Sequence, residues 1–221
     1  MNLVVATTFE LALVTTVLLL LLATPLAWWL ARSRTAWKEV VGALSALPLV
    51  LPPTVIGFYV LVALGPASPL MTVLHPFGIR SLAFTFTGLV IGSIFYSLPF
   101  AVQPLRTAFE GVGDAPLDLA ATMGAAPLDR FMTIALPLAR RGFVSAAILV
   151  FAHTIGEFGV VLMIGGAIPG RTEVLSTRIY SLVESLQFGA AHAIAGALTV
   201  FAFVTLLALL LVERRLGGVR P

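Results

Sequence analysis

The sequence predicts an all-α integral membrane protein with about five transmembrane helices. Of its 221 residues, 59% are hydrophobic and 10% are charged, and the mean hydropathy is +1.07. A soluble domain of this size has about a quarter charged residues. The charged side chains of this chain are therefore too few to cover a water-facing surface. Most of the chain must therefore face lipid. Backbone polar groups find no water there, so each span is predicted to be a helix.

Five apolar stretches are each long enough to cross a bilayer, whose hydrocarbon core takes about 20 helical residues. They are 11–31, 40–64, 81–105, 142–168 and 190–212, and charged or Gly/Pro-rich segments separate them. No Lys or Arg precedes the first stretch, so we interpret it as a retained span and not as a cleaved leader. The sequence therefore predicts one transmembrane domain that comprises residues 1–221.

The Lys and Arg residues are concentrated on one side of these spans. The first connection, the third connection and the C-terminal tail hold Arg32, Arg34, Lys38, Arg106, Arg130, Arg140, Arg141, Arg214, Arg215 and Arg220. Only Arg80, Arg171 and Arg178 lie on the other side. The positive-inside rule then places the N-terminus outside and the C-terminus in the cytoplasm. This bias accounts for the pI of about 10.0, so no nucleic-acid partner is predicted.

The composition argues against several kinds of site. The chain has no cysteine, which removes thiolate metal sites and thiol nucleophiles. His75 and His192 have no third ligand at a useful spacing, so no metal site is predicted. The pattern Gly-x4-Gly-Lys-Ser/Thr is missing, so an ATP-driven process needs a separate subunit. No catalytic residue is assigned, and the chain is predicted not to be an enzyme.

The connection 106–141 is longer than a turn between two spans needs, and long ordered loops are often functional. Its sequence predicts two short helices. Asp114 is placed as the N-cap of the first helix, and Gly124 as the residue that ends it. Pro127 opens the second helix and Pro137 closes it. We expect a helical hairpin on the cytoplasmic face. A surface hairpin without a partner is the simpler alternative.

The hairpin carries a spaced motif that consists of Asp118, Leu119, Ala120, Gly124, Ile134, Leu136 and Pro137. It resembles the signature Glu-Ala-Ala-x3-Gly-x9-Ile-x-Leu-Pro of the permease subunits of ABC importers. Asp replaces the Glu, with a shorter reach, and Leu replaces the first Ala. The resemblance implies the type I ABC importer permease fold. There the first short helix is a coupling helix seated in a cleft of an ATPase subunit, so these residues are predicted to couple the chain to an ATPase.

Segments 47–57 and 156–172 resemble the molybdate-type permeases, within the group for molybdate, tungstate and sulfate. This resemblance implies a pore made of two copies of the chain, two ATPase subunits that carry Mg-ATP, and an extracytoplasmic oxyanion-binding protein. The chain itself is then expected to bind no cofactor and to lie in a bacterial-type inner membrane. A tungstate or sulfate permease of the same group is the alternative.

The second predicted span begins with a cluster of prolines at Pro48, Pro52 and Pro53. Each removes a backbone donor and disfavours helix before it, so the span is predicted to be bent or broken there. A break leaves carbonyls that face either protein or a water-filled cavity. Pro52, Pro53 and Thr54 are therefore candidates for the pore or gate, and a packing kink is the alternative.

Glu157 lies inside the fourth predicted span, where an unpaired carboxylate is strongly unfavourable. His153 lies one helical turn earlier on the same face, so the two side chains are predicted to pair. We favour Glu157 as a structural anchor between spans or subunits, with gating or proton coupling as alternatives. Together with its neighbours Gly156 and Phe158, it is a candidate for the pore or gate.

The outer connection 169–189 has a rough amphipathic pattern from Val174 to Leu186, which predicts a short helix at the membrane surface. Arg171 and Arg178 lie in this segment and are predicted to contact the binding protein. A solvated loop charge is the alternative for Arg171.

The residues alone leave two other functions open. An ion-coupled secondary transporter would use Glu157 and His153, and its uptake would need no ATPase. A membrane-embedded enzyme or assembly factor would need converging polar groups, and Glu157 is the one acidic residue well inside the predicted spans.

Overall fold

The computed structural model describes residues 1–216, and all of their regular structure is helical. The helices are α1 (Asn2–Arg32), α2 (Trp37–Ala46), α3 (Pro53–Leu64), α4 (Pro69–Leu74), α5 (Phe86–Val112), α6 (Ala115–Thr122), α7 (Pro127–Arg130), α8 (Leu136–Leu138), α9 (Arg140–Gly156), α10 (Gly159–Gly165), α11 (Leu175–Glu184) and α12 (Phe188–Leu216). Short 3₁₀ turns occur at Leu47–Leu49 and His75–Phe77, and a π-helical turn at Phe131–Ala135.

Four helical stretches of the described chain are long and apolar enough to cross a membrane: Asn2–Arg32, Pro53–Phe77, Phe86–Val112 and Phe188–Leu211. A fifth candidate combines Pro127–Leu138 with Arg140–Gly156, which are bent by 67° relative to each other. The predicted all-α membrane class is thereby confirmed. Because of this bend, the segment Pro127–Leu138 does not continue along the axis of α9.

The first helix begins at Asn2, well before the predicted start at residue 11. The charge of Glu10 suggested that later start, but Glu10 lies on the exposed side of a continuous helix. Two of its threonines bond back to the helix itself: Thr8 Oγ1 donates to the Val4 carbonyl and Thr16 Oγ1 to the Ala12 carbonyl, each at 2.7 Å. Such internal bonds let polar residues occupy an apolar helix.

The second predicted span, 40–64, is two helices with a break between them. After α2 and a 3₁₀ turn, Pro52 is extended (φ −55°, ψ 138°) and α3 starts at Pro53. This is the proline-driven break that the sequence predicts. At 12 residues α3 is about 18 Å long, too short for a bilayer core. The membrane-length stretch therefore runs on through α4 to Phe77 and not back to residue 40.

The fourth predicted span, 142–168, is also broken, and this was not predicted. The helix α9 ends at Gly156, Glu157 is extended (φ −66°, ψ 131°), and α10 starts at Gly159. No proline lies at this break. The Ser176 hydroxyl donates a 2.5 Å hydrogen bond to the Glu157 carbonyl and so stabilises the freed backbone group.

The largest core cluster joins α1, α5 and α9 around buried Leu19, Leu30, Leu105, Phe109 and Val150. Alanines on all three helices are fully buried in the same cluster, which brings the helix backbones close together. A smaller cluster joins the start of α1 to α11 and α12 at the opposite end of the bundle. We call the end of the bundle where α1 and α5 finish beside α6 the hairpin end. We call the opposite end, which contains α11, the α11 end.

Candidate functional site

The predicted helical hairpin is present between α5 and α9. Its first helix, α6, ends in a Schellman motif: the Gly124 amide donates to the Ala121 carbonyl and the Ala125 amide to the Ala120 carbonyl, both at 3.0 Å. Gly124 has φ +85°, a left-handed conformation that suits glycine. A Cβ at this position would meet no atom within 4 Å. Backbone conformation, and not space, therefore explains the glycine.

The second half of the hairpin does not end at Pro137 as predicted. Pro137 lies within α8, after the π-helical turn, and the chain bends only at Ala139 before α9 begins. Proline lacks the amide that an α-helical turn would need there, and π-helical turns are a common accommodation of such defects.

Large apolar side chains of the hairpin are exposed. The exposed fractions are 65% for Leu119, 82% for Met123, 70% for Leu128 and 52% for Met132. Of the motif residues, Asp118 and Pro137 are also exposed, whereas Ala120, Ile134 and Leu136 are half-buried. Asp118 has no ion-pair partner within residues 1–216. The hairpin thus presents exposed apolar side chains beside motif residues that are partly buried.

Asp114 occupies the N-cap position of α6 as predicted, but its side chain makes no capping hydrogen bond. Its carboxylate instead pairs with the Arg32 guanidinium at the end of α1. Beside this pair the Trp28 ring packs against Phe109 and Phe131, with ring centroids 5.2 and 5.1 Å apart. The base of the hairpin is therefore attached to α1 both by charge and by aromatic packing.

The two broken spans meet at their breaks. A Cβ on Gly159 would lie 2.8 Å from the Cβ of Pro53, and one on Gly57 would lie 2.8 Å from the Cβ of Met163. The starts of α3 and α10 are therefore in close contact. This brings Pro52 and Pro53 next to the 156–158 break, although the sequence separates them by about a hundred residues.

A cavity of about 400 Å³ lies beside the paired breaks. It is lined by Pro53, Tyr96, Ala152, His153, Gly156, Glu157, Phe158 and Gly159. Gly156 and Phe158 are exposed, and Thr54 is exposed on the neighbouring turn of α3. Four of the predicted pore residues, Pro53, Gly156, Glu157 and Phe158, thus line one recess, and Pro52 and Thr54 are the chain neighbours of Pro53. No three His, Asp or Glu residues of the described chain come together to hold a metal ion.

Glu157 is only 3% exposed, and neither of its carboxyl oxygens has a hydrogen-bond partner among the described residues. The predicted pair with His153 is wrong. His153 Nδ1 is 2.9 Å from the Ser97 hydroxyl, and its ring stacks on Phe100 at 4.1 Å. Because α9 ends at Gly156, Glu157 leaves the helix face that His153 occupies.

The predicted surface helix is α11. Its first amide, on Leu175, donates to Thr8 Oγ1 at 2.9 Å, which fixes the helix to the start of α1. Arg178 Nη1 is 3.3 Å from Glu173 Oε1, so Arg178 has a partner within the chain. Arg171 is exposed and has no ion-pair partner within residues 1–216. With Ser176 bonded to the Glu157 carbonyl, α11 is attached directly to the break in the fourth span.

We expect Gly57→Ala to destabilise the packing of α3 on α10. The added Cβ would lie 2.8 Å from the Met163 Cβ and 3.2 Å from the Val160 Cα, a backbone atom that cannot rotate away. Overpacking of this kind costs about 1–3 kcal/mol. Thermal unfolding of the purified protein in detergent would measure the loss. Gly196→Ala in α12 is the control, because its Cβ meets no atom within 4 Å. Equal stability of both variants would contradict the close contact.

Residues 23–218 match the family described as binding-protein-dependent transport system inner membrane component. The chain belongs to this family. The resemblance to importer permeases that the hairpin motif carries is thereby confirmed, and this permease is a multi-pass inner membrane protein.

Several relatives of this permease are known by name. It is 55% identical over 202 residues, 91% of this chain and 89% of the other, to the molybdenum transport system permease protein ModB of Azotobacter vinelandii. It is 37% identical over 161 residues, 72% and 69% of the two chains, to ModB of Escherichia coli strain K12. The sulfate transport system permease protein CysT of Salmonella typhimurium is 29% identical over 192 residues, 87% and 69% of the two chains.

The permease fold also matches a solved structure. A chain of the bacterial alginate ABC transporter in complex with alginate pentasaccharide-bound periplasmic protein has a TM-score of 0.72 at 20% identity. The similarity covers 100% of this permease and 80% of that chain. At this identity the match establishes the fold, which is that of an ABC importer permease.

Proposed function

We propose that this chain is the transmembrane subunit of an ATP-driven molybdate importer. The observation that carries the proposal is the 55% identity to a molybdenum permease over nearly the full length of both chains. The sulfate permease is less similar, at 29%, so molybdate is favoured over sulfate. The chain acts as a permease without enzymatic activity or bound cofactor, and Mg-ATP binds to a partner.

The hairpin is the proposed docking site for the ATPase subunit. Its exposed Leu119, Met123 and Leu128 are large apolar side chains, and Asp118 next to Leu119 has no ion pair within residues 1–216. Exposed apolar side chains of this kind on a polar connection are typical of a protein interface. The remaining motif residues, Ala120, Gly124, Ile134, Leu136 and Pro137, give the hairpin its shape.

Two copies of the chain form the proposed pore, and the hairpin end faces the cytoplasm. The basic residues Arg32, Arg34, Lys38, Arg106, Arg130, Arg140 and Arg141 flank helix termini at that end, which supports this orientation. The N-terminus then lies outside together with α11. Arg171 and Arg178 are the proposed contacts for an external oxyanion-binding protein, with Arg178 held in place by Glu173.

The paired breaks are the proposed gate. Pro53 lies on one side of the recess, with Pro52 and Thr54 next to it in the chain, and the 156–158 break lies on the other side. Interrupted helices near the middle of a transporter provide backbone groups and a place to bend. The Ser176 bond to Glu157 would pass movements of α11, where the binding protein docks, to this gate.

A single substitution tests the docking site. We expect Leu119→Asp to lower binding of the ATPase subunit by about tenfold or more, because it would place an unpaired charge in the proposed apolar contact, which is strongly unfavourable. Co-purification and a binding titration in detergent would measure it. The matched control is Leu186→Asp, which makes the same change on a 75% exposed leucine at the α11 end. Equal binding by both variants would overturn the assignment of the hairpin.

A further inference from the structure

Arg32 makes an unusual set of contacts between the first span and the hairpin. It is the last residue of α1. One terminal nitrogen pairs with the Asp114 carboxylate, and the other donates to the Gly113 carbonyl at 2.7 Å and reaches the Phe109 carbonyl at 3.5 Å. These acceptors all lie where α5 ends and α6 begins. The guanidinium also lies over the Trp28 ring, 5.0 Å from its centroid.

We propose that Arg32 is the positioning residue that locks the start of the hairpin to the first span, so that a movement imposed on the hairpin also moves α1. This role rests on the proposed docking of an ATPase to the hairpin. It goes beyond that docking, because Arg32 itself lies outside the motif and acts through the residues that join α5 to α6.

The chemistry favours arginine at this position. The last carbonyls of a helix have no amide partner within the helix and carry the negative end of its dipole. A planar guanidinium presents several donors in a fixed fork, so it can serve two carbonyls and a carboxylate together. A lysine ammonium is a point charge without that geometry. The Arg32 side chain is 20% exposed and that of Asp114 is 67% exposed, so solvent screens the two partly buried carbonyl contacts less than it screens the ion pair.

The Arg32 contacts are important because the connection between α5 and α6 is very short. Between α5 and α6 only Gly113 and Asp114 intervene, and Gly113 has φ +70°, which turns the chain sharply. The Trp28 ring packs on Phe131 in the second half of the hairpin, whereas Arg32 contacts the α5–α6 junction at the start of the hairpin. At its far end α1 bonds to α11 through Thr8. A rigid attachment at Arg32 thus connects the hairpin to the helix that reaches the α11 end.

The test is the number of molybdate ions transported per ATP hydrolysed by the reconstituted complex with its ATPase and binding protein. We expect Arg32→Gln to lower this ratio about fivefold or more, the lower end of typical coupling between sites, while ATPase binding is unchanged. Arg32→Lys should show the same direction of change. Arg34→Gln is the control, because Arg34 is exposed in the same connection and has no ion pair within residues 1–216.

A reversible link separates positioning from a mere effect on folding. The chain has no native cysteine, so Arg32→Cys with Asp114→Cys can be joined by a bis-methanethiosulfonate with a spacer about as long as an arginine side chain. We expect the ratio to be low in the reduced protein and to rise towards the wild-type value once linked. A normal ratio in Arg32→Gln, or a link without effect, would overturn this role. Failure of the ATPase to bind the wild-type chain would instead remove the proposed function, and this role with it.

Discussion

Gly124→Val is expected to abolish most ATP-driven uptake while leaving the protein in the membrane. Gly124 has φ +85°, and a left-handed conformation costs an L-residue with a side chain about 1–2 kcal/mol, more for a β-branched one. The hairpin can relieve this strain only by opening the Schellman turn that sets α6 against α7. The spans contribute most of the stability, so the loss should appear in ATPase binding and uptake.

The control at this position is Gly124→Asn. Asparagine tolerates the left-handed region better than other residues with a side chain, and a Cβ has free space at this turn. We therefore expect uptake by the Asn variant to stay close to wild type when both variants are compared at equal membrane content. If Asn and Val are equally impaired, the added side chain itself is the cause, and backbone strain is not what makes glycine necessary at residue 124.

Glu157→Lys is expected to prevent correct assembly of the membrane domain. The site is 3% exposed and offers the existing carboxylate no hydrogen-bond partner among residues 1–216. Lysine would reverse the charge at this buried site, and a buried charge without a partner is strongly destabilising. Thermal unfolding and the yield of monodisperse protein would measure the effect.

Glu157→Gln separates the structural role of this residue from proton coupling. The amide has nearly the same shape, and if ATP provides the energy, the variant should fold, dock its ATPase and transport molybdate at close to the wild-type rate. An ion-coupled transporter would lose uptake in a folded Gln variant, and its wild-type uptake would continue without the ATPase. A folded Gln variant without uptake would therefore contradict the structural role.

The features that the sequence predicted correctly are those decided by residues close together in the chain. Three prolines were enough to predict the break before α3. Gly124 and Pro127 correctly marked the end of the first hairpin helix and the start of the second. The five apolar stretches and the basic residues beside them defined a helical membrane protein before any contact was known.

Two of the errors concern residues whose partners are distant in sequence. Asp114 looked like a helix cap, but Arg32, 82 residues away, takes its carboxylate. His153 looked like the partner of Glu157, but Ser97, 56 residues away, takes its ring nitrogen. Local spacing cannot reveal such competition, because it is decided by which helices pack side by side.

The break at Glu157 was missed for the same reason. No proline lies there, and it is stabilised by the Ser176 hydroxyl and by the packing of Gly159 on Pro53. The flanking Gly156 and Gly159 were the one local signal, since glycine weakens a helix interior. The predicted residue Arg220 lies outside the described residues.

The most direct measurement is molybdate uptake into proteoliposomes that contain this chain with or without its ATPase subunit, with the binding protein and molybdate outside and ATP inside. We predict uptake only when the ATPase is present and hydrolyses ATP, and its loss in Leu119→Asp. Normal uptake in the absence of the ATPase would contradict the account, because the hairpin would then have no force to transmit.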